Sequence, residues 1–213
     1  GRPVYFCSGE PQVRGTFMNA TTGVASTAGK FASCFALSSR ILKPFYPEFA
    51  VLIGSKADAA YQEGIKKPGV CQTASVAAPY IYEEDNWVDD MELGAMELYH
   101  STGAKKYLDQ AIEYGRREPV TPWMGADSAR HYQWYPFMNM GHYHIAKVGG
   151  NKRLNQEFLR NMHAGIQRTY EKALQSPFMH GIPYIWCSNN LTTAMLTQCR
   201  LYRETTNDQT YAE

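Results

Sequence analysis

Acidic side chains are concentrated between residues 83 and 92, on either side of Trp87. Carboxylate oxygens suit calcium, and a pair of carboxylates also serves as the acid and base of most glycosidases. Asp85 and Asp89 stand four residues apart and share a helix face, whereas adjacent acids on one helical turn point in different directions. Acids are in any case favoured at a helix start by capping and by the helix dipole. The residues by themselves therefore favour a helix start over a calcium site, and a calcium site over a catalytic pair.

Aromatic side chains fall on four long predicted loops, each of which precedes the first helix of a helical hairpin. Flat aromatic faces that converge on a groove bind sugar rings, and polar side chains at the edge bind the hydroxyl groups. The alternative is that the rings wedge the hairpins together; this is the better interpretation for any single ring, whereas the set favours a groove. The aromatic residues are Phe17, Tyr80, Tyr82, Trp87, Trp123, Tyr132, Trp134, Tyr135, Tyr184 and Trp186, with Arg130, His131, Gln133, Asn139 and Asn189 as polar candidates.

Histidine and cysteine form no metal or nucleophile motif in this sequence. His142 and His144 are two residues apart and therefore diverge on a helix, and the five cysteines include no CxxC pair. Cys34 and Cys199 lie in apolar helical patterns, so we expect them to be buried thiols. Neither a zinc ribbon nor a disulfide framework is indicated.

The composition is that of an ordinary globular domain, with 44% hydrophobic and 19% charged residues and a formal net charge of +1. A net charge this close to zero does not indicate the excess of basic residues that binds nucleic acid or an anionic membrane. No apolar stretch approaches the roughly 18 residues that a membrane span needs. We therefore expect neither nucleic acid nor a membrane as a partner.

A helical hairpin, with a helix, a tight polar turn and an antiparallel second helix, recurs along the chain at residues 98–108, at residues 143–158 and from residue 201 onwards. The third copy stops at Glu213, where its second helix is expected to begin. We therefore expect the chain to be part of a larger helical array.

Apolar periodicity predicts seven helices and no strand of any length. The second helix is expected to end at Gly64, because glycine commonly follows the last helical turn. Short turns are expected at one end of the stacked hairpins and long loops at the other, in an open solenoid or a closed double ring. Long loops at one end are where a ring-shaped helical enzyme holds its site. The predicted ranges are 23–43, 47–64, from 85 or 86, 104–117, 137–147, 151–174 and 190–203.

Residues 89–103, which read DDMELGAMELYHSTG, resemble the DELxWGAxWLYxATG stretch of glycoside hydrolase family 9, the cellulases with an (α/α)6 barrel. Residues 22–43 are similar to the family's alanine-rich inner helix, residues 132–146 to its aromatic segment, and residues 184–194 to its WGSLRY loop and helix. The resemblance implies an all-α fold of antiparallel helical hairpins forming part of an (α/α)6 barrel. Residues 1–213 would then be a single incomplete domain, the middle-to-late portion of the catalytic domain.

The resemblance also implies an activity, that of an inverting endo-β-1,4-glucanase acting on β-glucan or cello-oligosaccharides. In this family an upstream DxGD motif supplies the base and a downstream Glu the acid, at about 6.5–9.5 Å from each other. Neither motif occurs in this sequence. The catalytic residues are therefore unknown, and we expect them to lie outside this chain.

What the resemblance does supply is a cleft and a structural calcium loop. Glu10 and Arg14 correspond to the family's RPEDMDTPR cleft loop, in a much altered form. The family's calcium loop has Ser-Gly where this chain has Asp85 and Asn86. The expected substrate-binding residues are Glu10, Arg14, Trp87, Trp134, Tyr135, Tyr184, Trp186 and Asn189, and the expected calcium ligands are Asp85, Asn86, Asp89 and Asp90.

Three functional hypotheses follow from these patterns. The first is the β-glucan hydrolase, secreted or periplasmic, whose barrel is completed by its remaining segments. The second is a non-catalytic glucan-binding helical ring, which shares the aromatic groove and needs no acids. The third is a helical-repeat scaffold for a protein partner, in which the aromatic residues would be anchors.

Overall fold

The computed structural model describes residues 21–71, 74–75, 81–82, 86–127, 140–184 and 188–211. Within these ranges the chain is all-α, as the sequence predicts, except for one antiparallel pair of two-residue strands. The elements are α1 (Ala25–Leu42), α2 (Pro47–Lys66), β1 (Ala74–Ser75), β2 (Ile81–Tyr82), α3 (Val88–Thr102), α4 (Lys105–Arg117), α5 (Met140–Ala146), α6 (Lys152–Leu174) and α7 (Ser188–Thr206).

Local sequence signals explain most of the helix boundaries. Pro47 occupies the first turn of α2, where its missing N–H has no partner to lose. The side chain of Asn151 accepts a hydrogen bond from the backbone N–H of Leu154 and caps α6 at 3.0 Å. Gly103 has a φ of +70° and ends α3, in a conformation that glycine adopts without steric cost.

The prediction that Gly64 ends α2 is wrong, since the helix continues to Lys66. A Cβ atom on this glycine would lie 2.7 Å from the Sδ atom of Met91 and 3.2 Å from the Cβ atom of Ala28. Glycine is therefore present here because α2 passes close to α1 and α3. A glycine selected for close packing has the same sequence signature as one that terminates a helix.

The helices form two layers of antiparallel hairpins. Helices α1, α3 and α5 lie side by side in one layer, where α3 contacts both of the others. The second helix of each hairpin packs against its own first helix and against the first helix of the next hairpin: α2 on α3, α4 on α5, and α6 on α7. This arrangement places the short turns at one end of the layers and, at the other, the C-terminal ends of α2, α4 and α6 together with the N-terminal ends of α3, α5 and α7, which the long connections join.

Small residues set the distance between α1 and α3. Ala25, Ala28, Ala32 and Ala36 line the buried side of α1. A Cβ atom on Gly29 would lie 2.5 Å from the backbone carbonyl of Asp90, so the two helices touch through their backbones at this point. None of the described helices has both the length and the apolar character of a membrane-spanning segment.

Exposed apolar side chains occur only on the first and last hairpins of the described chain. Between residues 53 and 169 the described residues include no large exposed hydrophobic side chain. On the first hairpin these side chains form what we call the α1–α2 end face, consisting of Phe31, Leu37, Ile41, Phe45, Tyr46, Phe49, Val51 and Leu52. The exposed apolar residues on and around α6 and α7 are Tyr170, Leu174, Phe178, Met179, Tyr184 and Leu196.

The first hairpin corrects an expectation drawn from helical periodicity. Cys34, expected to be a buried thiol, is an exposed free cysteine, and Phe49, Leu52 and Ile41 belong to apolar helical stripes but are also exposed. Periodicity identifies the apolar sides of a helix but not which of them a neighbour covers. Only an internal hairpin has neighbours on both sides.

Replacing Gly29 with alanine is expected to destabilise the protein by about 2 kcal/mol or more, because the new methyl group collides with backbone atoms that cannot rotate away. Urea denaturation followed by circular dichroism measures this loss. Gly149→Ala is the matched control, since a Cβ atom there meets no heavy atom within 4 Å. Equal stability of the Gly29→Ala variant and the wild type would contradict the proposed backbone contact.

Residues 1–213 expressed alone are expected to self-associate, because the α1–α2 end face exposes Phe45 at 72% and Val51 at 73%. Light scattering coupled to size-exclusion chromatography measures the mass of the species. The double variant Phe45→Asp, Val51→Lys is expected to shift the distribution towards monomer. A wild-type chain that is monomeric and melts cooperatively would argue against the open-ended ring.

Candidate functional site

The candidate site is the end of the helical layers from which the long connections emerge. It contains the N-termini of α3 and α7. Six of the expected site residues lie in or near these two helix starts: Asn86, Trp87, Asp89, Asp90, Tyr184 and Asn189. The other expected substrate-binding and calcium-binding residues lie outside the described ranges: Glu10, Arg14, Asp85, Trp134, Tyr135 and Trp186. The site is therefore built here from its helical side only.

Trp87 is half-buried directly before α3 and packs on the C-terminal end of α4. The guanidinium carbon of Arg117 lies 4.7 Å from the centre of the Trp87 ring, in a cation–π contact. Tyr114 meets the same ring edge-on, with centroids 5.9 Å apart. Part of the aromatic surface that the sequence assigns to sugar stacking is thus occupied by protein.

Tyr184 is the most accessible of the named aromatic residues that the structure describes, with 89% of its surface exposed. It follows the buried residues Ile182 and Pro183, which anchor this part of the connection before α7. His180 packs against its ring with centroids 6.0 Å apart. Asn189, in the first turn of α7, is also exposed. These two side chains are free to contact a ligand from the solvent.

Trp123 does not belong to a binding groove, contrary to the expectation for its loop. Its side chain is fully buried with Met124, Ile182, Leu191 and Ala194 in a separate apolar cluster. This cluster packs the connection after α4 against the start of α7. Trp123 is therefore part of the apolar packing beneath the long-connection end and does not contribute to its surface.

Asn86 and Asp89 form the buried start of α3. The Asn86 side-chain oxygen accepts hydrogen bonds from the backbone N–H groups of Trp87 and Val88, at 2.8 and 3.2 Å. Its amide nitrogen donates to Asp89 Oδ1 at 3.0 Å. Burial raises the pKa of the Asp89 carboxyl to about 6, although the positive charge of Lys30 acts against this.

Asp90 is paired with a cation from the neighbouring inner helix. Lys30 Nζ on α1 donates to Asp90 Oδ2 at 2.7 Å, and the carboxylate is almost fully buried. Such a pair fixes the register of α1 against α3, since a buried charge that loses its partner is costly.

These contacts do not fit a calcium site made from the described members of the predicted set. A cation there would have to compete with the Lys30 ammonium for Asp90 and with the Asn86 amide for Asp89. Among the described residues, no group of three or more His, Cys, Asp or Glu side chains is arranged to hold a metal. Calcium binding stays a prediction, and its fourth ligand, Asp85, lies outside the described ranges.

A buried ion pair that the sequence analysis missed lies one turn further along α3. Glu92 Oε1 is 2.7 Å from His142 Nδ1 on α5, and both side chains are essentially inaccessible to solvent. His142 Nε2 in turn lies 3.2 Å from the backbone carbonyl oxygen of Pro119. An imidazolium donates from both nitrogens, so a charged pair satisfies both contacts and holds the start of the 118–139 connection on the inner helices.

Two glycines make room for the Glu92 carboxylate. A Cβ atom on Gly141 would lie 2.6 Å from Glu92 Cγ, and one on Gly115 would lie 2.9 Å from Glu92 Oε1. The ring of Phe158 on α6 packs edge-on against His142 with centroids 4.9 Å apart. Four helices therefore meet around one carboxylate.

The second missed cluster lies near the opposite end of α3. Arg40 on α1 donates to Glu97, and His144 Nε2 on α5 lies 3.5 Å from the same carboxylate. His142 and His144 do diverge, as predicted, because each faces a different glutamate. The available signal was the presence of Glu92 and Glu97 inside an otherwise apolar helical stretch.

Glu92→Leu is expected to lower the free energy of unfolding by about 3 kcal/mol, because it leaves His142 buried without its partner. Glu92→Gln retains a polar partner and is expected to cost less. Chemical denaturation measures both, with Glu63→Gln as the control at an exposed ion pair, where the change is expected to stay below about 1 kcal/mol. A Glu92→Leu variant as stable as the control would show that the pair contributes nothing.

Comparison with known proteins identifies the family that has this architecture. Residues 6–213 match the model of glycosyl hydrolase family 9. No curated protein gives a match. Among solved structures, the chain is similar to a metagenome-derived family 9 endoglucanase, with 19% identity and a TM-score of 0.65 over 86% of this chain.

Two further solved structures agree. A family 9 protein from Bacteroides ovatus is 19% identical, with a TM-score of 0.62. The match covers 88% of this chain and 36% of that protein. The catalytic domain of Clostridium thermocellum CelT is 20% identical with a TM-score of 0.59, covering 87% of this chain and 40% of that domain. The chain spans 34% of the length of the metagenome-derived endoglucanase.

The similarity to these structures establishes the fold, a part of the family's (α/α)6 barrel. The match to the family model extends over nearly all of the 213 residues. The chain therefore belongs to glycosyl hydrolase family 9.

Proposed function

We propose that the protein is a β-glucan hydrolase of the inverting endo-β-1,4-glucanase type. The observation that carries the proposal is the family match over residues 6–213. Among the similar solved structures, several are endoglucanases and another was determined in complex with a cellobiose-like isofagomine. A fold by itself does not imply an activity, so the proposal also needs a site that suits a glucan.

The long-connection end supports a glucan cleft. Tyr184 offers an accessible aromatic face and Asn189 an accessible amide, a combination that suits the apolar face and the hydroxyl edge of a glucose unit. We propose that Trp87, directly before α3, forms a further part of the same cleft, with its ring held by Arg117 and Tyr114. We propose that Glu10, Arg14, Trp134, Tyr135 and Trp186 complete the cleft.

Inverting hydrolysis needs a general acid and a general base on opposite sides of the scissile bond, about 6.5–9.5 Å apart. The two described acids at the start of α3 are engaged elsewhere, Asp89 with Asn86 and Asp90 with Lys30. We assign neither of them a catalytic role. In this proposal the acid and base come from parts of the protein outside these residues, and this chain binds and orients the glucan.

The barrel itself is proposed to be completed by further helical hairpins. Residues 1–213 would form one partial domain, in which the α1–α2 end face is covered by a hairpin of the same kind as those inside the array. The restriction of large exposed apolar side chains to the end hairpins of the described chain supports this arrangement. A secreted or periplasmic location follows from the substrate, since a polymeric glucan is met outside the cytoplasm.

The full-length protein is expected to hydrolyse soluble β-1,4-glucan and to release the α-anomer first, because single displacement inverts the anomeric centre. Reducing-sugar assays and proton NMR of the initial product measure rate and stereochemistry. Tyr184→Ala is expected to raise KM or the dissociation constant for cello-oligosaccharides about three- to tenfold, since a stacking face is lost. Its melting temperature should be unchanged, because Tyr184 is exposed.

Two control variants separate binding from stability. Tyr46→Ala removes an exposed tyrosine at the short-turn end and should leave glucan affinity unchanged. Trp87→Ala should lower stability by about 1–2 kcal/mol, because its ring packs on Arg117 and Tyr114. Tyr184-dependent binding without hydrolysis would favour the non-catalytic glucan-binding ring. Absence of both binding and hydrolysis would overturn the proposal in favour of a protein-binding scaffold.

A further inference from the structure

A second cavity lies at the short-turn end, away from the proposed glucan cleft. Its volume is about 390 Å³, and it opens between the C-terminal ends of α3 and α5. Its walls are formed by Tyr99, His100, Tyr143, His144, Lys147, Val148 and Gly149. Nothing in the proposed hydrolysis uses these residues.

The side chains around this cavity are mostly hydrogen-bond donors or groups that can become cationic. His100 and His144 meet edge to face, with ring centroids 5.0 Å apart. Lys147 Nζ donates to the Tyr143 hydroxyl oxygen at 2.9 Å, which leaves the phenolic proton available for another acceptor. Two imidazoles, an ammonium and a phenol therefore surround the same space.

The charge balance around the cavity is positive. Glu97 is the buried acid beside it; Arg40 from α1 donates to that carboxylate, and His144 Nε2 lies 3.5 Å from it. Lys147, directly after α5, forms no ion pair with a carboxylate among the described residues, and Glu204 on α7 is instead paired with Arg200 at 2.8 Å. The contribution of Lys147 to the field at Glu204 is small beside that of Arg200.

We propose that this cavity is a binding site for a small oxyanion, such as sulfate or phosphate, held by His100, His144 and Lys147. The Tyr99 and Tyr143 hydroxyl groups provide neutral donors at the edge. An oxyanion accepts several hydrogen bonds at once and compensates the positive charge of Lys147, together with that of any imidazole that becomes protonated. A neutral sugar would leave this charge uncompensated, and a metal cation would add to it.

The protonation behaviour of the histidines is consistent with an anion site. Burial, and then the nearby His100, Arg40 and Lys147, lower the pKa of His144 to about 4, although Glu97 acts in the opposite direction. Burial and Arg40 also lower the pKa of His100, again against Glu97. A bound anion favours the charged imidazoles and raises both pKa values, so binding takes up protons. The affinity must then increase as the pH falls.

Sulfate is the appropriate probe, because it remains a dianion from pH 5.5 to pH 7.5. Isothermal titration calorimetry of the full-length protein at constant ionic strength measures its affinity, with sodium chloride as the background salt. We expect saturable binding that tightens about threefold or more between pH 7.5 and pH 5.5, as the imidazoles become protonated. Proton NMR of the histidine ring signals should show His100 and His144 shifting during the same titration.

Lys147→Met and His100→Gln test the site itself, and both side chains are exposed enough to be replaced without emptying the core. Each is expected to weaken sulfate binding about tenfold. Lys152→Met is the matched control, since it removes an exposed lysine five residues further along the chain and outside the cavity lining. Its affinity for sulfate should equal that of the wild type.

Three results would overturn the proposal. These are the absence of saturable sulfate binding, equal binding by the Lys147→Met and His100→Gln variants, or an affinity that does not depend on pH. Glucan hydrolysis by the same samples is independent of all three, so a failure of the oxyanion site is distinguishable from a failure of the proposed enzymatic function.

Discussion

The buried pair of Glu92 and His142 is the constraint around which the inner helices are arranged. A carboxylate that is buried away from solvent needs a compensating partner, because an uncompensated buried charge costs several kcal/mol. The partner comes from α5, and the space comes from Gly115 on α4 and Gly141 on α5. One side chain thus fixes how three helices approach each other.

The same pair connects the core to the candidate site. His142 bridges Glu92 to the carbonyl of Pro119, where the 118–139 connection leaves α4. A little further along this connection, Trp123 packs under the start of α7. The long-connection end therefore rests on polar contacts within the inner layer and on an apolar cluster beneath two of its connections. Both determine where the residues of the proposed cleft can lie.

Helix α3 carries four acidic residues on its buried side, Asp89, Asp90, Glu92 and Glu97. The family motif has a second tryptophan where this chain has Glu97, and the carboxylate is matched by Arg40 on α1 and approached by His144 on α5. Together with the Lys30–Asp90 pair, this gives α3 specific partners on both neighbouring helices. Ion pairs of this kind add little net stability but penalise any other register strongly.

The sequence by itself determined that the chain folds into helices, the order of the hairpins and the separation of short turns from long connections. These features depend on local signals, such as the capping Asn151, the turn at Gly103 and apolar periodicity, which act over a few residues. The tertiary structure alone decided which apolar faces are covered, so that Phe49 is exposed and Trp123 is buried. It also decided the pairing of Glu92 with His142, fifty residues away. A single sequence does not encode such contacts as a pattern, because they depend on which surfaces the packed helices bring within a few ångströms of each other.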